Sequence, residues 1–306
     1  MATIEETKTY DNWHKFICDL EKSSKDGNKI YRGQSNDPCD PENEWTIVSS
    51  YNRLHSKYKN KAYYFRTILN QHLSPRLFSA YYGDYAFNQI EDLKQLTSIQ
   101  RAYYFQHYGI PTCLIDFTKC PLIASYFGIS SVPGTNVTYA DDDNNIIPFT
   151  NNAFITIYEL DAQKLIDILN VKEINSKSFT SKKYDDYLKE LWSLGFHIGI
   201  DLNPLDESMK ESNFNLNQQK GVFILYDNYN SNIDLIFAID SLAKEIGCND
   251  KIIKKYRLKT NAIYEYLPIN NTRHNLYTYL KSKQRTGQFL FNDLQGLKYD
   301  FNFLHS

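Results

Sequence analysis

The chain has 306 residues and a formal net charge of −2 at pH 7. A charge so close to zero argues against a general nucleic-acid-binding protein, which normally carries a basic excess, but does not exclude a nucleic acid as a substrate. Hydrophobic residues make up 42% of the sequence, enough to bury a sizeable core, while the 12 glycines and 9 prolines argue against a repetitive or linker-rich chain.

Three features bear on location and cofactors. The first residues, MATIEETK, are polar and lack the apolar stretch of a signal peptide. No apolar run reaches the ~18 residues of a membrane-spanning helix. The 5 cysteines are an odd number without close metal-ligand spacing, which favours reduced thiols. We therefore expect a cytoplasmic protein with no membrane partner and no bound metal.

Hydrophobic periodicity predicts the elements of the first half of the chain. In chain order it predicts helix 9–23, strand 29–33, helices 50–82 and 88–108, strand 112–118 and a helix that begins at Pro121. Asp11 is the expected N-cap of the first helix. Proline suits the first turn of a helix, because the N–H that it lacks has no intrahelical partner there.

The second half begins with residues 132–152, which contain Pro-Gly and three consecutive aspartates and are interpreted as a flexible insertion. The pattern then predicts strand 153–159, helices 162–169 and 181–194, strand 221–226, helix 233–246, strand 252–258 and helix 274–283. Long helical stretches separate the strands, and no Gly-rich turn joins a strand to a helix as in βαβ nucleotide-binding units. The sequence therefore predicts an α+β fold.

The first candidate site is the sequence YRGQ at 31–34, at the end of a predicted strand. The guanidinium of Arg32 offers a fork of donors for a phosphate, and Gly33 would let a ligand approach the backbone closely. An ordinary ion pair at Arg32 explains the same pattern.

The second candidate site combines His107 with Asp116. His107 is suited to act as a general base or to orient a ligand hydroxyl, but a histidine at a helix end also interacts favourably with the helix dipole. Asp116 lies within an apolar strand, so we expect a buried carboxylate. It would cap the next helix, pair with an arginine or take part in catalysis.

The third candidate site is the pair Gln218 and Gln219, directly before a predicted strand. Their amides offer both donors and acceptors, which suit a nicotinamide amide or a base edge, although a plain turn explains them equally well. The catalytic signatures GxSxG, HExxH and GxxxxGK[ST] are absent from the sequence.

Six sequence blocks occur in a characteristic order. They are YRGQ (31–34), WTIVSS (45–50), QHYGIPTCLIDFT (106–118), PLIASYFG (121–128), QQKGVF (218–223) and FNDLQGL (291–297). This order resembles that of the FRG domain family. The resemblance implies one domain over 29–298, an N-terminal helix within 1–28 and a tail over 299–306. The chain departs from the usual family pattern at Cys113, which replaces an arginine, and at Phe117, which replaces a tryptophan.

The motif order is also similar to that of ADP-ribosyltransferases. This similarity implies a single large ADP-ribosyltransferase-like domain, in which small sheets are surrounded by helices and helical insertions, with NAD as substrate. It places Arg32, Gly33, Gln34, Gln106, Thr118 and Gln218 in NAD binding, and Arg32, His107, Asp116 and Gln219 in catalysis.

The implied roles follow the charges of the ligand. Arg32 would hold the pyrophosphate, Thr118 would help to order the nicotinamide ribose, and Gln219 would bond the ribose 2′-hydroxyl. An acid normally stands at this last position, because a carboxylate stabilises the positive charge that develops in the transition state. Gln219 is neutral, so Asp116 or His107 would have to supply the charge or the base.

The resemblance implies an effector of a bacterial toxin or anti-phage defence system. Its acceptor would be a protein or a nucleic acid, and an antitoxin or another defence protein would be its partner. Two alternatives remain open at this point. One is a non-enzymatic nucleotide-binding sensor or interaction domain, and the other is a metal-free RNA-acting enzyme that uses His107 as its base.

Overall fold

A computed structural model describes residues 5–35, 46–50, 52–53, 102–103, 106, 112–130, 139–140, 146–147, 154–173, 196–204, 214–228, 233–259, 272–291, 296 and 300. The strands are β1 (Glu5–Tyr10), β2 (Lys29–Ser35), β3 (Leu114–Thr118), β4 (Tyr139–Ala140), β5 (Ile146–Ile147), β6 (Phe154–Asp161), β7 (Lys172–Glu173), β8 (Phe196–Asp201), β9 (Gly221–Asn228) and β10 (Ile253–Lys259). The helices are α1 (Trp13–Ser23), α2 (Pro121–Ser130), α3 (Ala162–Asp167), α4 (Phe214–Gln218), α5 (Leu235–Glu245), α6 (Thr272–Ser282) and α7 (Gly287–Leu290).

Eight of these strands form one mixed sheet in the order β1-β10-β6-β2-β3-β9-β8-β7. The pairs β1–β10 and β7–β8 at its two edges are parallel, and the pairs between them are antiparallel. Strands β4 and β5 form a separate antiparallel pair. The strands β2 and β3 lie at the centre of the sheet, so the first two sequence blocks with candidate site residues meet there.

Both faces of the sheet are buried, which explains why its strands read as apolar runs. Side chains alternate between the faces, so that Ile30 packs against α3 and α5 while Tyr31 packs against α1, α2 and α6. Each face has its own hydrophobic core, and at ~25 cal/mol per Å² of apolar surface this burial is the main stabilising term.

Helix α2 is apolar on all sides because it lies between the sheet and other helices. It begins at Pro121, as predicted, and all but two of its residues are buried. Its buried hydroxyl at Ser125 donates to the carbonyl of Pro121 at 2.9 Å, so burial leaves no polar group there without a partner. The ring centroids of Phe127 and Phe291 are 6.3 Å apart, which places the first residue of the block 291–297 beside this helix.

The α+β class is confirmed, but the prediction of small sheets is wrong, because eight strands share one sheet. Strand β1 is part of it: residues that the sequence assigned only to an N-terminal helical segment pair in parallel with β10. Helix α1 begins at Trp13, and its N-cap is Asn12, not Asp11, because the Asn12 side chain accepts from the N–H of Lys15.

Several other predictions concern residues outside the described part of the chain. Helix 181–194 lies there entirely, and so do most of helices 50–82 and 88–108 and of the insertion 132–152. Strands β7 and β8 and the short helix α4 were not predicted. Across the described segments, no helix is both long enough and apolar enough to cross a membrane.

Candidate functional site

The centre of the sheet opens between β2 and β3. These two strands pair only at Tyr31 and Thr118, whereas β2 pairs with β6 along its whole length and β3 does so with β9. Beyond that point the side chain of Arg32 bridges the two strands, since its Nη1 donates to the main-chain carbonyl of Asp116 at 2.8 Å. The opening is therefore bordered by Arg32 on one strand and Asp116 on the other.

Arg32 carries a positive charge that its surroundings compensate only in part. Burial lowers the pKa of Arg32 and the charge of Arg53 lowers it further, while Asp116 acts in the opposite direction. Its buried Nε atom has no hydrogen-bond partner among the residues described. A partly desolvated guanidinium of this kind has the chemistry that suits an anionic ligand.

Arg53 reaches the same place from the segment 46–53, which contains most of the WTIVSS block. Asp234, the N-cap of α5, accepts from the N–H of Ile47, and the carbonyl of Ile47 accepts from Leu235 at 2.9 Å. Arg53 itself donates from Nη1 to the carbonyl of Val48 at 3.0 Å. Loss of solvent around the guanidinium lowers the pKa of Arg53, and the charge of Asp116 opposes this effect.

Asp116 is exposed, although every other residue of β3 is buried. The prediction of a buried carboxylate at this position is therefore wrong, and the reason is the opening beside β3. Among the described contacts, neither Arg32 nor Arg53 forms an ion pair with the Asp116 carboxylate, which instead accepts from Nε2 of Gln106 at 3.0 Å. The opening thus presents a carboxylate to solvent beside two guanidinium groups.

A second group of candidate residues meets at the turn before β9. The hydroxyl of Thr118 donates to the carbonyl of Gln219 at 2.6 Å and accepts from the N–H of Cys120 at 3.0 Å. Lys220 completes the turn in the left-handed conformation, with φ 48°. Thr118 follows Asp116 by two residues along β3, so the turn lies about 7 Å from the opening.

Packing and interactions within the protein explain why glycine and glutamine occur at positions 33 and 34. A Cβ atom at Gly33 would lie 1.7 Å from the carbonyl oxygen of Ala124, so glycine is needed there for the close approach of α2. Gln34 is buried and already interacts within the protein. The part of either residue in ligand binding stays a prediction, as does that of Gln218, which is exposed at the end of α4. His107 lies outside the described residues.

The sequence analysis did not identify two aromatic residues beside Asp116, Tyr103 and Phe223. The Tyr103 ring stacks on Phe223 with centroids 4.4 Å apart, and Phe223 is the cross-strand neighbour of Asp116 on β9. The Tyr103 hydroxyl donates to the carboxylate of Asp201, and burial together with that charge raises the pKa of Tyr103 well above its ordinary value. Tyr103 is one of many tyrosines in the sequence, so no local pattern distinguished it.

Metal ligands are not grouped in the described part of the chain: no three His, Cys, Asp or Glu side chains there are placed to hold one ion. Residues 27–135 match the family model of the FRG domain. The resemblance to the FRG domain is thus confirmed for this segment, which includes Arg32, Arg53, Gln106 and Asp116. The blocks at 218–223 and 291–297 lie beyond the match. Neither the curated proteins nor the solved structures include one that matches this chain.

Proposed function

We propose that the chain binds NAD at the opening between β2 and β3 and transfers ADP-ribose from it to a macromolecular acceptor. The observation that carries this proposal is the pair of guanidinium groups, Arg32 and Arg53, which lie near the Asp116 carboxylate and both have a pKa lowered by burial. The carboxylates of Asp116 and Asp234 oppose the effect of burial at Arg32 but do not reverse it, so a diphosphate that binds both guanidinium groups offsets the cost of their desolvation.

The roles of the chain's residues follow from their donors and charges. The guanidinium groups of Arg32 and Arg53 bind the pyrophosphate, for which the planar fork of donors is suited. NAD supplies the ADP-ribosyl group and nicotinamide is the leaving group. Transfer breaks the bond between nicotinamide and the ribose and forms one to the acceptor, whose proton passes to a base.

Asp116 takes the electrostatic role in this proposal. Positive charge develops on the ribose as nicotinamide leaves, and a carboxylate fixed nearby stabilises it more than it stabilises the ground state. Gln219 has no charge with which to do so. Asp116 is the exposed carboxylate at the border of the opening, so it is the acid that this site offers.

The proposed setting is the cytoplasm of a bacterium, where the protein acts as a toxin or as an effector of anti-phage defence. The FRG domain match and the motif order support this class. The acceptor is a protein or a nucleic acid, and an antitoxin or a second defence protein holds the activity in check.

The test is to follow nicotinamide release by the purified protein and the transfer of label from tagged NAD to components of a cell lysate. Asp116→Asn should lower the rate of release about 100-fold, as expected when one electrostatic group is removed, and leave NAD binding intact. Asp167→Asn is the matched control, because Asp167 is also exposed and also accepts from a glutamine amide. Equal rates in the two variants would contradict the assignment of Asp116.

A nucleotide-binding sensor is the second candidate. It is favoured by the neutral Gln219 and by the Thr118 hydroxyl, whose hydrogen bonds to described residues all stay within the turn. A sensor would be stabilised by NAD without any release of nicotinamide, and Gln219→Glu would not start that release. Release by the wild-type protein would rule this candidate out.

A further inference from the structure

We infer that Gln106 is a positioning residue, which holds the carboxylate of Asp116 in one place and is itself held by the hydroxyls of Thr112 and Ser50. The contacts are independent of any ligand, while their catalytic meaning rests on the proposed function. The resemblance to ADP-ribosyltransferases placed Gln106 in NAD binding, and its contacts favour this other role.

The amide of Gln106 is fully used within the protein. Its Nε2 donates to Oδ2 of Asp116 at 3.0 Å and is 3.4 Å from the carbonyl oxygen of Leu114. Its Oε1 accepts from the hydroxyl of Thr112. An amide nitrogen has two hydrogens to donate, so none is left for a ligand. A flipped amide would turn its oxygen toward a carboxylate and a carbonyl, so only one orientation is favourable.

Hydrogen bonds hold both the side chain and the main chain of Thr112. Its buried hydroxyl accepts from the N–H of Leu114 at 3.1 Å, which leaves the hydroxyl proton directed at Gln106. Its main chain is held by Ser50, whose Oγ accepts from the N–H of Thr112 at 3.0 Å and donates to the Thr112 carbonyl at 3.2 Å. The contacts thus run from Ser50 through Thr112 and Gln106 to Asp116.

The segment 46–53 therefore contributes to both charges at the opening. Ser50 and Arg53 belong to the segment 46–53, which supplies one guanidinium directly and orients the carboxylate through Thr112 and Gln106. Asp116 needs this support, because it is exposed on β3 beyond the single residue pair, Tyr31 and Thr118, that joins β3 to β2. A carboxylate held in one orientation has less to reorganise in the transition state.

The first test is a double-mutant cycle on nicotinamide release with Gln106→Leu, Asp116→Ala and the double variant. We expect Gln106→Leu to lower kcat about tenfold with KM for NAD changed by less than about twofold, and the double variant to be no slower than Asp116→Ala alone. Gln163→Leu is the matched control, because this exposed glutamine donates to Asp167 far from the opening. Independent losses in the double variant, or a rise in KM alone, would overturn the inference.

Two substitutions of Thr112 distinguish the positioning of Gln106 from a purely structural role. Thr112→Val removes the hydroxyl that holds Gln106 and should lower kcat about as much as Gln106→Leu does. Thr112→Ser keeps the hydroxyl and should have nearly the kcat of the wild type. Equal kcat values in the valine and serine variants would overturn the inference that Thr112 holds Gln106 in place.

The second readout does not need catalysis. Urea unfolding is measured for the wild type, the two single variants and the double variant. The midpoint of the double variant should be no lower than that of the less stable single variant, because each single change already removes the same Gln106–Asp116 contact. Additive losses would overturn the Gln106–Asp116 contact whatever the activity. A wild-type protein that releases no nicotinamide would instead overturn the proposed function, and with it the catalytic role of Gln106.

Discussion

The side chain of Arg32 donates to the main-chain carbonyl of Asp116 at 2.8 Å, just beyond the point where β2 and β3 stop pairing at Tyr31 and Thr118. A side chain thus bridges two central strands where backbone bonds are missing. The arrangement leaves Arg32 with an unused buried donor and leaves the Asp116 carboxylate exposed. An opening in the middle of a sheet with a cation on one border and an acid on the other is the basis of the proposed NAD site.

The contact between Gly33 and α2 should make Gly33→Ala strongly destabilising. The added Cβ would lie 1.7 Å from a backbone oxygen of Ala124, so the helix itself would have to move. We expect a loss of about 3 kcal/mol in the free energy of unfolding, at the upper end of overpacking costs. Gly27→Ala is the control, since no atom lies within 4 Å of its Cβ position. Equal urea midpoints for the two variants would show that α2 does not rest on Gly33.

Thr118→Val separates a structural role of this hydroxyl from a ligand-binding one. The change removes the partners of the Gln219 carbonyl and the Cys120 N–H, so the free energy of unfolding should fall by about 1–2 kcal/mol. Thr118→Ser should recover most of this loss. A valine variant that stays as stable as the wild type but loses NAD binding would instead place the Thr118 hydroxyl on the ligand.

Much of the fold follows from the sequence because periodicity marks buried elements well. Strands β2, β3, β6, β9 and β10 and helices α1, α2, α3, α5 and α6 were all predicted, with shifts at their ends. Strand β1 was missed because EETKTY is polar, and its pairing with β10 is a tertiary contact that local preference does not report. Strand β8, FHIGID, was missed because its glycine weakens the strand pattern.

The site was less predictable than the fold. The motifs identified Arg32, Asp116 and Gln106, but the exposure of Asp116 depends on how β2 and β3 separate, which has no local signal. The apolar neighbours of Asp116 suggested burial, and they are indeed buried. No sequence motif placed Arg53 beside Arg32, because that approach depends on bonds of the segment 46–53 to α5.

The carboxylate of Asp300 joins its own part of the chain to α2 and to the start of α7. It accepts from the Tyr126 hydroxyl at 2.9 Å and from the N–H groups of Gly287 and Gln288 at 3.0 and 2.8 Å. Asp300→Ala leaves these donors without their partner, so the free energy of unfolding should fall by about 3 kcal/mol. Asp250→Ala, at an exposed ion pair, should cost less than about 0.5 kcal/mol. Equal losses in chemical denaturation would contradict the role of Asp300.

Buried tyrosines should make the protein sensitive to alkali. Burial and the charge of Asp300 raise the pKa of Tyr277 from 10.0 to about 12, and burial also raises that of Tyr103 and of Tyr126. A raised pKa means that the folded state keeps a proton which the unfolded state loses. Its stabilising effect is complete below pH 10 and disappears as the pH rises toward the folded-state value. Arg273, whose pKa burial lowers to about 10, acts in the opposite direction.

We therefore expect the urea midpoint to fall as the pH rises from about 10 toward about 12, with tyrosinate absorbance appearing together with unfolding. Because several tyrosines oppose one arginine, the net change is a loss of stability. A midpoint that is constant or rises over this range would contradict the burial of these hydroxyls. In Tyr277→Phe, which lacks this ionisable hydroxyl, the urea midpoint should fall less at alkaline pH than in the wild type.

The most direct test of the central claim is a titration of NAD into the wild-type protein and into Arg32→Ala, followed by thermal stabilisation, with Arg285→Ala as the control. Arg285 is a half-buried arginine outside the opening, where it donates to the carbonyl of Gln284. Ligand that binds only the folded state raises the unfolding midpoint by mass action. The account predicts stabilisation of the wild type and of Arg285→Ala and its loss in Arg32→Ala. Equal stabilisation of all three proteins, or of none, would contradict it.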